Sequence, residues 1–165
     1  MKLIFLDIDG VLNCVETKVK SPSGCIGIDE TMCKRLKQIV EQTDAKIILT
    51  STWKTEWNKT SENGLQTTKD GNYLVNTFNK YGLTIFDKTY EKTWAQRGEG
   101  ILNFLDNHKD IESFVILDDE FTFDYIKHDL DKYHVKTYYT KHSKETLLGL
   151  QDYHVEKAVY ILNGR

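Results

Sequence analysis

Lys2-Leu3-Ile4-Phe5-Leu6-Asp7-Ile8-Asp9-Gly10-Val11-Leu12 opens the chain and decides its fold class. A mostly apolar run passes directly into two carboxylates one residue apart, and a glycine then lets the chain turn. A short, continuous apolar run of this kind suits a strand buried on both faces at the centre of a parallel sheet. Its C-terminal end then carries the chemistry. Side chains alternate along a strand, so Asp7 and Asp9 share a side only if the chain stays extended past Asp7. Two carboxylates this close are costly to bury unless a cation or a proton lies between them, which points to a bound metal. Taken alone, Asp9-Gly10 also fits an ordinary turn ending an ordinary strand.

Working outward, the same design recurs. Lys46-Ile47-Ile48-Leu49 runs into Thr50-Ser51-Thr52-Trp53-Lys54, and Ser113-Phe114-Val115-Ile116-Leu117 runs into Asp118-Asp119. Between the first two runs, Asp29 is a good N-cap, and Met32, Leu36, Ile39 and Val40 recur at helical spacing, predicting a helix over 29–42. A strand, a helix-length crossover and a second strand imply parallel pairing, so the polar ends share one edge of the sheet. Further helices are expected around 73–81, from Arg97 through Leu105, over 122–130 and around Val155–Leu162, with strands at 83–86 and 135–139. The stretch 55–71, with Asn63-Gly64 and Asp70-Gly71, reads as helix fringe and loop. Residues 13–28 read as a small flap, with Val15, Thr17 and Val19 in one hairpin arm and Pro22-Ser23-Gly24 as its turn. The expected fold is α/β, three-layered and Rossmann-like, a single domain over 1–165.

Composition narrows the function classes. The 165 residues carry a formal net charge of -3, so any attraction to polyanions must come from a local patch. Three cysteines, Cys14, Cys25 and Cys33, form no spaced pair and argue for reduced thiols rather than a disulfide framework. No stretch approaches the roughly 20 apolar residues of a membrane span, so the expected location is the cytoplasm, with no membrane partner.

In an open α/β sheet, ligands bind beyond the C-terminal ends of the strands, and three of those ends here carry reactive residues. An oxygen-rich cluster from Asp7, Asp9, Asp118 and Asp119 suits Mg²⁺, and no Cys/His cluster competes for zinc. A phosphoryl group in flight needs a cation, hydrogen-bond donors and an in-line nucleophile. Asp7 can attack, Asp9 can protonate the leaving oxygen and then activate water, and Thr50 or Ser51 can hold a phosphate oxygen. A basic residue is still required. Arg97 opens a helix and is bidentate by nature, which favours it over Lys92 and Lys54. Trp53, Trp57 and Trp94 read as core residues before base-stacking ones, and the five histidines as lying away from the three strand ends.

The pattern Phe5-Leu6-Asp7-Ile8-Asp9-Gly10-Val11-Leu12 resembles the first motif of the haloacid dehalogenase-like (HAD) phosphohydrolases. Leu49-Thr50-Ser51-Thr52-Trp53-Lys54 and Ile116-Leu117-Asp118-Asp119 match the order of the second and fourth motifs. Through Thr50-Ser51-Thr52-Trp53-Lys54 and Arg97-Gly98-Glu99-Gly100-Ile101, the chain also resembles the HAD domain of Swiss Army Knife RNA-repair-like proteins. The resemblance implies a Mg²⁺-dependent phosphomonoesterase with Asp7 as nucleophile, an aspartyl-phosphate intermediate and Asp9 as general acid/base. No gap holds a large cap, so polynucleotide 3′- or 5′-phosphate ends become accessible substrates. A nucleotidase, a general small-molecule phosphatase and a catalytically silent Mg²⁺-binding regulatory domain are the alternatives. For a polynucleotide, Lys18, Lys20, Lys54 and Lys59 are expected to contact the backbone, with Trp57 stacking on a base.

Overall fold

Five strands are needed to bury the apolar runs, and five are present in the computed structural model, which describes residues 1–60 and 64–164. They are β1 (Lys2–Leu6), β2 (Lys46–Leu49), β3 (Ile85–Lys88), β4 (Ser113–Asp118) and β5 (His134–Lys136). All pair in parallel, in the order β3-β2-β1-β4-β5. β1 is therefore central, with Leu6 in register with Leu49 on one side and Leu117 on the other.

The helices are α1 (Glu30–Thr43), α2 (Lys69–Lys80), α3 (Arg97–Asp106), α4 (Thr122–Lys127) and α5 (Asp152–Asn163). Alternation along β1 explains the unbroken apolar run. Ile4 and Leu6 pack with Leu36 and Ile39 of α1, Leu74 and Phe78 of α2, and Val155 and Ala158 of α5. Leu3 and Phe5 face the other way, onto Ile101 and Phe104 of α3 and Tyr125 of α4. The result is three layers with two separate cores. Asp29 caps α1 as its position in the sequence suggests, its side chain accepting from the Met32 N–H at 3.1 Å.

Some elements differ from the sequence reading. α2 begins four residues earlier than expected because Thr68, not Tyr73, starts it, accepting from Gly71 N–H at 3.0 Å. β5 is three residues long and starts at His134, since it pairs only with the last residues of β4. The segment before β2's neighbour opens with a 3₁₀ turn over Thr52–Thr55. Of the Asn63-Gly64 turn, Asn63 lies outside the described residues. In the 13–28 segment, Lys20 and Ile26 form an antiparallel bridge around Pro22-Ser23-Gly24. The turn is tied to α2, where Asp70 accepts from the hydroxyls of Ser21 and Ser23.

Candidate active site

The parity that sends Phe5 toward α3 and α4 also sends Asp7 there, one residue beyond β1, where its N–H still donates to Leu117 O at 2.9 Å. Ile116 of β4 shares that face, so Asp118 arrives beside Asp7. Both carboxylates are buried, and each accepts from Arg97 Nη1, at 2.6 Å for Asp7 and 2.7 Å for Asp118. Arg97 is the first residue of α3 and is itself buried. Burial works against its charge, but Asp7 and Asp118 outweigh it and raise its pKa. One guanidinium thus holds together two strand ends that would otherwise repel each other.

Asp118 accepts three hydrogen bonds. Its Oδ1 accepts from Glu120 N–H at 2.8 Å, and its Oδ2 takes the Tyr125 hydroxyl at 2.7 Å besides Arg97. Its main-chain carbonyl lies 2.9 Å from His134 Nε2. Burial lowers His134 to about 4, so the ring is neutral and donates its Nε2 proton to that carbonyl. Asp119 differs: among the described residues its carboxylate takes no side-chain hydrogen bond, and it faces an open cleft of about 510 Å³ shared with Asp7, Asp9 and Arg97. Desolvation, then the charge of Asp118, raises both Asp7 and Asp119 to about 7.

Asp9 joins them by a route the sequence reading did not foresee. The chain does not stay extended past Asp7; it turns, with Leu12 N–H donating to Ile8 O at 2.8 Å and Gly10 at φ 80°. The turn carries Asp9 back to the cleft. There Asn13 Nδ2 donates to its Oδ1 at 2.8 Å and the Trp53 indole to its Oδ2 at 3.2 Å. Glycine at position 10 is required twice, for the positive φ and because a Cβ would stand 2.3 Å from the Asp119 carboxyl carbon.

Other expected site residues separate. The Ser51 hydroxyl faces Asp7 and helps to hold its pKa down, while accepting from Trp53 N–H at 3.2 Å. Thr50 is buried with its hydroxyl unpartnered. Lys54 does not reach the carboxylates: it pairs with Glu91 and donates to Thr89 Oγ1 at 3.2 Å. Lys92 is exposed and makes no ion pair among the described residues. Lys59 pairs with Asp87 at 3.1 Å, and Trp57 is buried, so neither is placed as expected for a strand-binding track. Trp53 and Trp57 are core residues, but Trp94 is 66% exposed at the cleft.

Asp7, Asp118 and Asp119 each offer a carboxylate oxygen within 4.8 Å of the others. Hard oxygen donors in this number fit a divalent cation of the Mg²⁺ kind. A family model described as the HAD domain in Swiss Army Knife RNA repair proteins matches residues 3–146. The chain belongs to that family. No curated protein and no solved structure matches it. Membership of a HAD domain family suggests phosphohydrolase chemistry, and the acidic cluster at the strand ends is a candidate divalent-metal site. Among the described residues, no helix is long and apolar enough to cross a membrane.

Four residues of the site escaped the sequence reading: Asn13, Trp53, Tyr125 and His134. Asn13 alone left a signal, since it follows Gly10 closely and its Oδ1 accepts the Gly10 N–H at 3.0 Å, as a turn-stabilising Asn does. His134 corrects the view that every histidine lies away from the strand ends, because it opens β5 and binds the end of β4.

Proposed function

We propose that this HAD domain is a Mg²⁺-dependent phosphomonoesterase that works through an aspartyl-phosphate, with terminal phosphates of nucleic acids or nucleotides as its substrates. The observation that carries the reading is the division of labour within one cleft. Asp7 is held by Arg97 and Ser51, Asp9 by Trp53 and Asn13, and Asp119 is left free.

An oxygen of Asp7 attacks phosphorus, and the bond to the leaving oxygen breaks while Asp9 gives that oxygen a proton. Asp9 then takes a proton from water, whose oxygen attacks the phosphorus; the bond to Asp7 breaks and inorganic phosphate leaves. The two hydrogen bonds to Asp9 fix its carboxyl during both transfers. Arg97 offers positive charge to the equatorial oxygens without having to move. Asp7, Asp119 and the main-chain carbonyl of Asp9 would hold the cation, which supplies charge neutralisation between the nucleophile and the incoming phosphate. Asp118, already accepting from Arg97, Tyr125 and the Glu120 N–H, tethers Arg97 instead. The free thiols Cys14, Cys25 and Cys33 fit a reducing cytoplasm.

The test is hydrolysis of an aryl phosphate with and without Mg²⁺, in the wild type and in Asp7→Asn. Wild-type turnover that needs the metal is expected, with kcat at least about a thousandfold lower in Asp7→Asn. Multiple turnover by Asp7→Asn, with deamidation excluded by mass spectrometry, would remove Asp7 from the nucleophile's role.

A further inference from the structure

The cleft has a wall that the phosphate chemistry does not use. Trp94 stands 66% exposed on the loop before α3, its ring 5.9 Å from that of Phe121 at 78°, edge to face. Phe121 in turn covers Arg97, whose guanidinium carbon lies 4.4 Å from the ring centroid. A continuous path therefore runs from Asp7 through Arg97 and Phe121 to an open indole. Phe121 holds a left-handed backbone at φ 57°, a conformation that a bulky residue avoids unless its surroundings impose it. That conformation sets the ring between the guanidinium and the tryptophan. Tyr139 lines the same cleft from the segment after β5.

The charges around this wall are informative. Asp9, Asp119 and Glu120 line the cleft, and among the described residues Arg97 is its cation and no lysine lines it. Lys54 and Lys59, which could have tracked a backbone, are paired with Glu91 and Asp87. Such a cleft grips one phosphate and rejects a second anionic group close by. Next to that phosphate it offers flat aromatic surface, which suits a neutral planar ring.

We propose that Trp94, backed by Phe121, is a stacking platform for the nucleobase attached to the phosphate being removed, so that the substrate is read as a single terminal nucleotide. The proposal rests on the phosphatase reading above and adds to it the group recognised beside the phosphate. Specificity then comes from stacking rather than from a polyphosphate track, and it is insensitive to salt.

The experiment compares AMP with ribose 5-phosphate, and 3′-AMP with 3′-phosphorylated abasic ribose, in the wild type, Trp94→Ala and Trp94→Phe. The base is expected to raise kcat/KM about tenfold in the wild type, in line with ordinary base–aromatic stacking. Trp94→Ala should bring the two substrate types to the same efficiency, and Trp94→Phe should keep most of the difference. Nucleotide and base-free phosphate used equally by the wild type would overturn the platform while leaving the phosphatase intact. So would an advantage that survives Trp94→Ala, or a phosphorylated amino acid outrunning AMP through its ammonium group. Efficiency that climbs with each added nucleotide and collapses with salt would also overturn it, in favour of a backbone track. If the wild type hydrolyses none of these, the phosphatase reading fails, and the platform is read by binding alone. Tryptophan fluorescence quenched by AMP but not by ribose 5-phosphate, and unquenched in Trp94→Ala, supports it; identical responses in wild type and Trp94→Ala overturn it.

Discussion

The ends of β1 and β4 look alike in sequence, each an apolar run closed by two carboxylates, yet they hold their charges in opposite ways. At β4 the first acid is sealed and the second open: Asp118 is fully buried among Arg97, Tyr125 and the Glu120 N–H, while Asp119 faces the cleft. At β1 both acids reach the cleft, Asp7 on the last extended residue and Asp9 on a turn that Asn13 and Trp53 hold in shape. The difference teaches that a pair of adjacent acids is not one functional unit. Hydrogen-bond supply decides which member is scaffold and which is free for chemistry.

The sharpest way to break this comparison is to remove each acid of β4 in turn. Asp118→Ala leaves the Tyr125 hydroxyl buried without its acceptor and Arg97 Nη1 with one carboxylate in place of two, and the metal-free protein is expected to lose about 3 kcal/mol by denaturant unfolding. A loss no larger than that of Asp119→Ala would show that the two acids are equivalent. A smaller effect is expected at β1. Trp53→Phe keeps an aromatic ring in the core but removes the indole N–H from Asp9, so kcat should fall about tenfold with the circular dichroism spectrum unchanged. An unaltered kcat would mean that Asn13 alone orients Asp9.

The smallest effect sharpens the assignment of Asp119. Its folded pKa, about 7, lies above the ordinary value of 3.8. Its ionisation therefore opposes folding: the penalty is absent below 3.8 and grows as pH rises through 7. Asp119→Asn should consequently stabilise the metal-free protein by about 1 kcal/mol at pH 8, after allowance for its partial exposure, and by nothing near pH 4. Added Mg²⁺ should raise the wild-type melting temperature and leave that of Asp119→Asn nearly unmoved. Equal Mg²⁺ responses in the two proteins would take Asp119 out of the metal site.

The frame of the molecule was legible in the sequence for a physical reason: a strand buried on both faces must be apolar throughout, so Leu3–Leu6, Ile47–Leu49 and Val115–Leu117 declare themselves. Parallel pairing then obliges Asp7, Thr50 and Asp118 to meet at one edge. Arg97 was legible as a helix-opening cation but not as a buried bridge, because its burial depends on how α3 lies against β1 and β4. Tyr125 and His134 were illegible for the same reason, since each reaches Asp118 across an interface that no local spacing encodes. The exposure of Trp94 at the cleft was hidden by a sound generality. Most tryptophans are core residues, as Trp53 and Trp57 are, and only packing shows which one is not.

Arg97 also bears on the order in which the chain assembles. It lies 21 residues from Asp118 but 90 from Asp7. Closing the shorter loop loses less entropy, so the guanidinium can meet the end of β4 before β1 and β4 have found each other. Parallel strands from distant parts of a chain pair slowly, and two bare carboxylates at the meeting point would raise that barrier further. A β4 end that arrives with its countercharge attached presents β1 with attraction in place of repulsion. The acidic centre can therefore close with no ion from solution, and its readiness to bind one is built during folding.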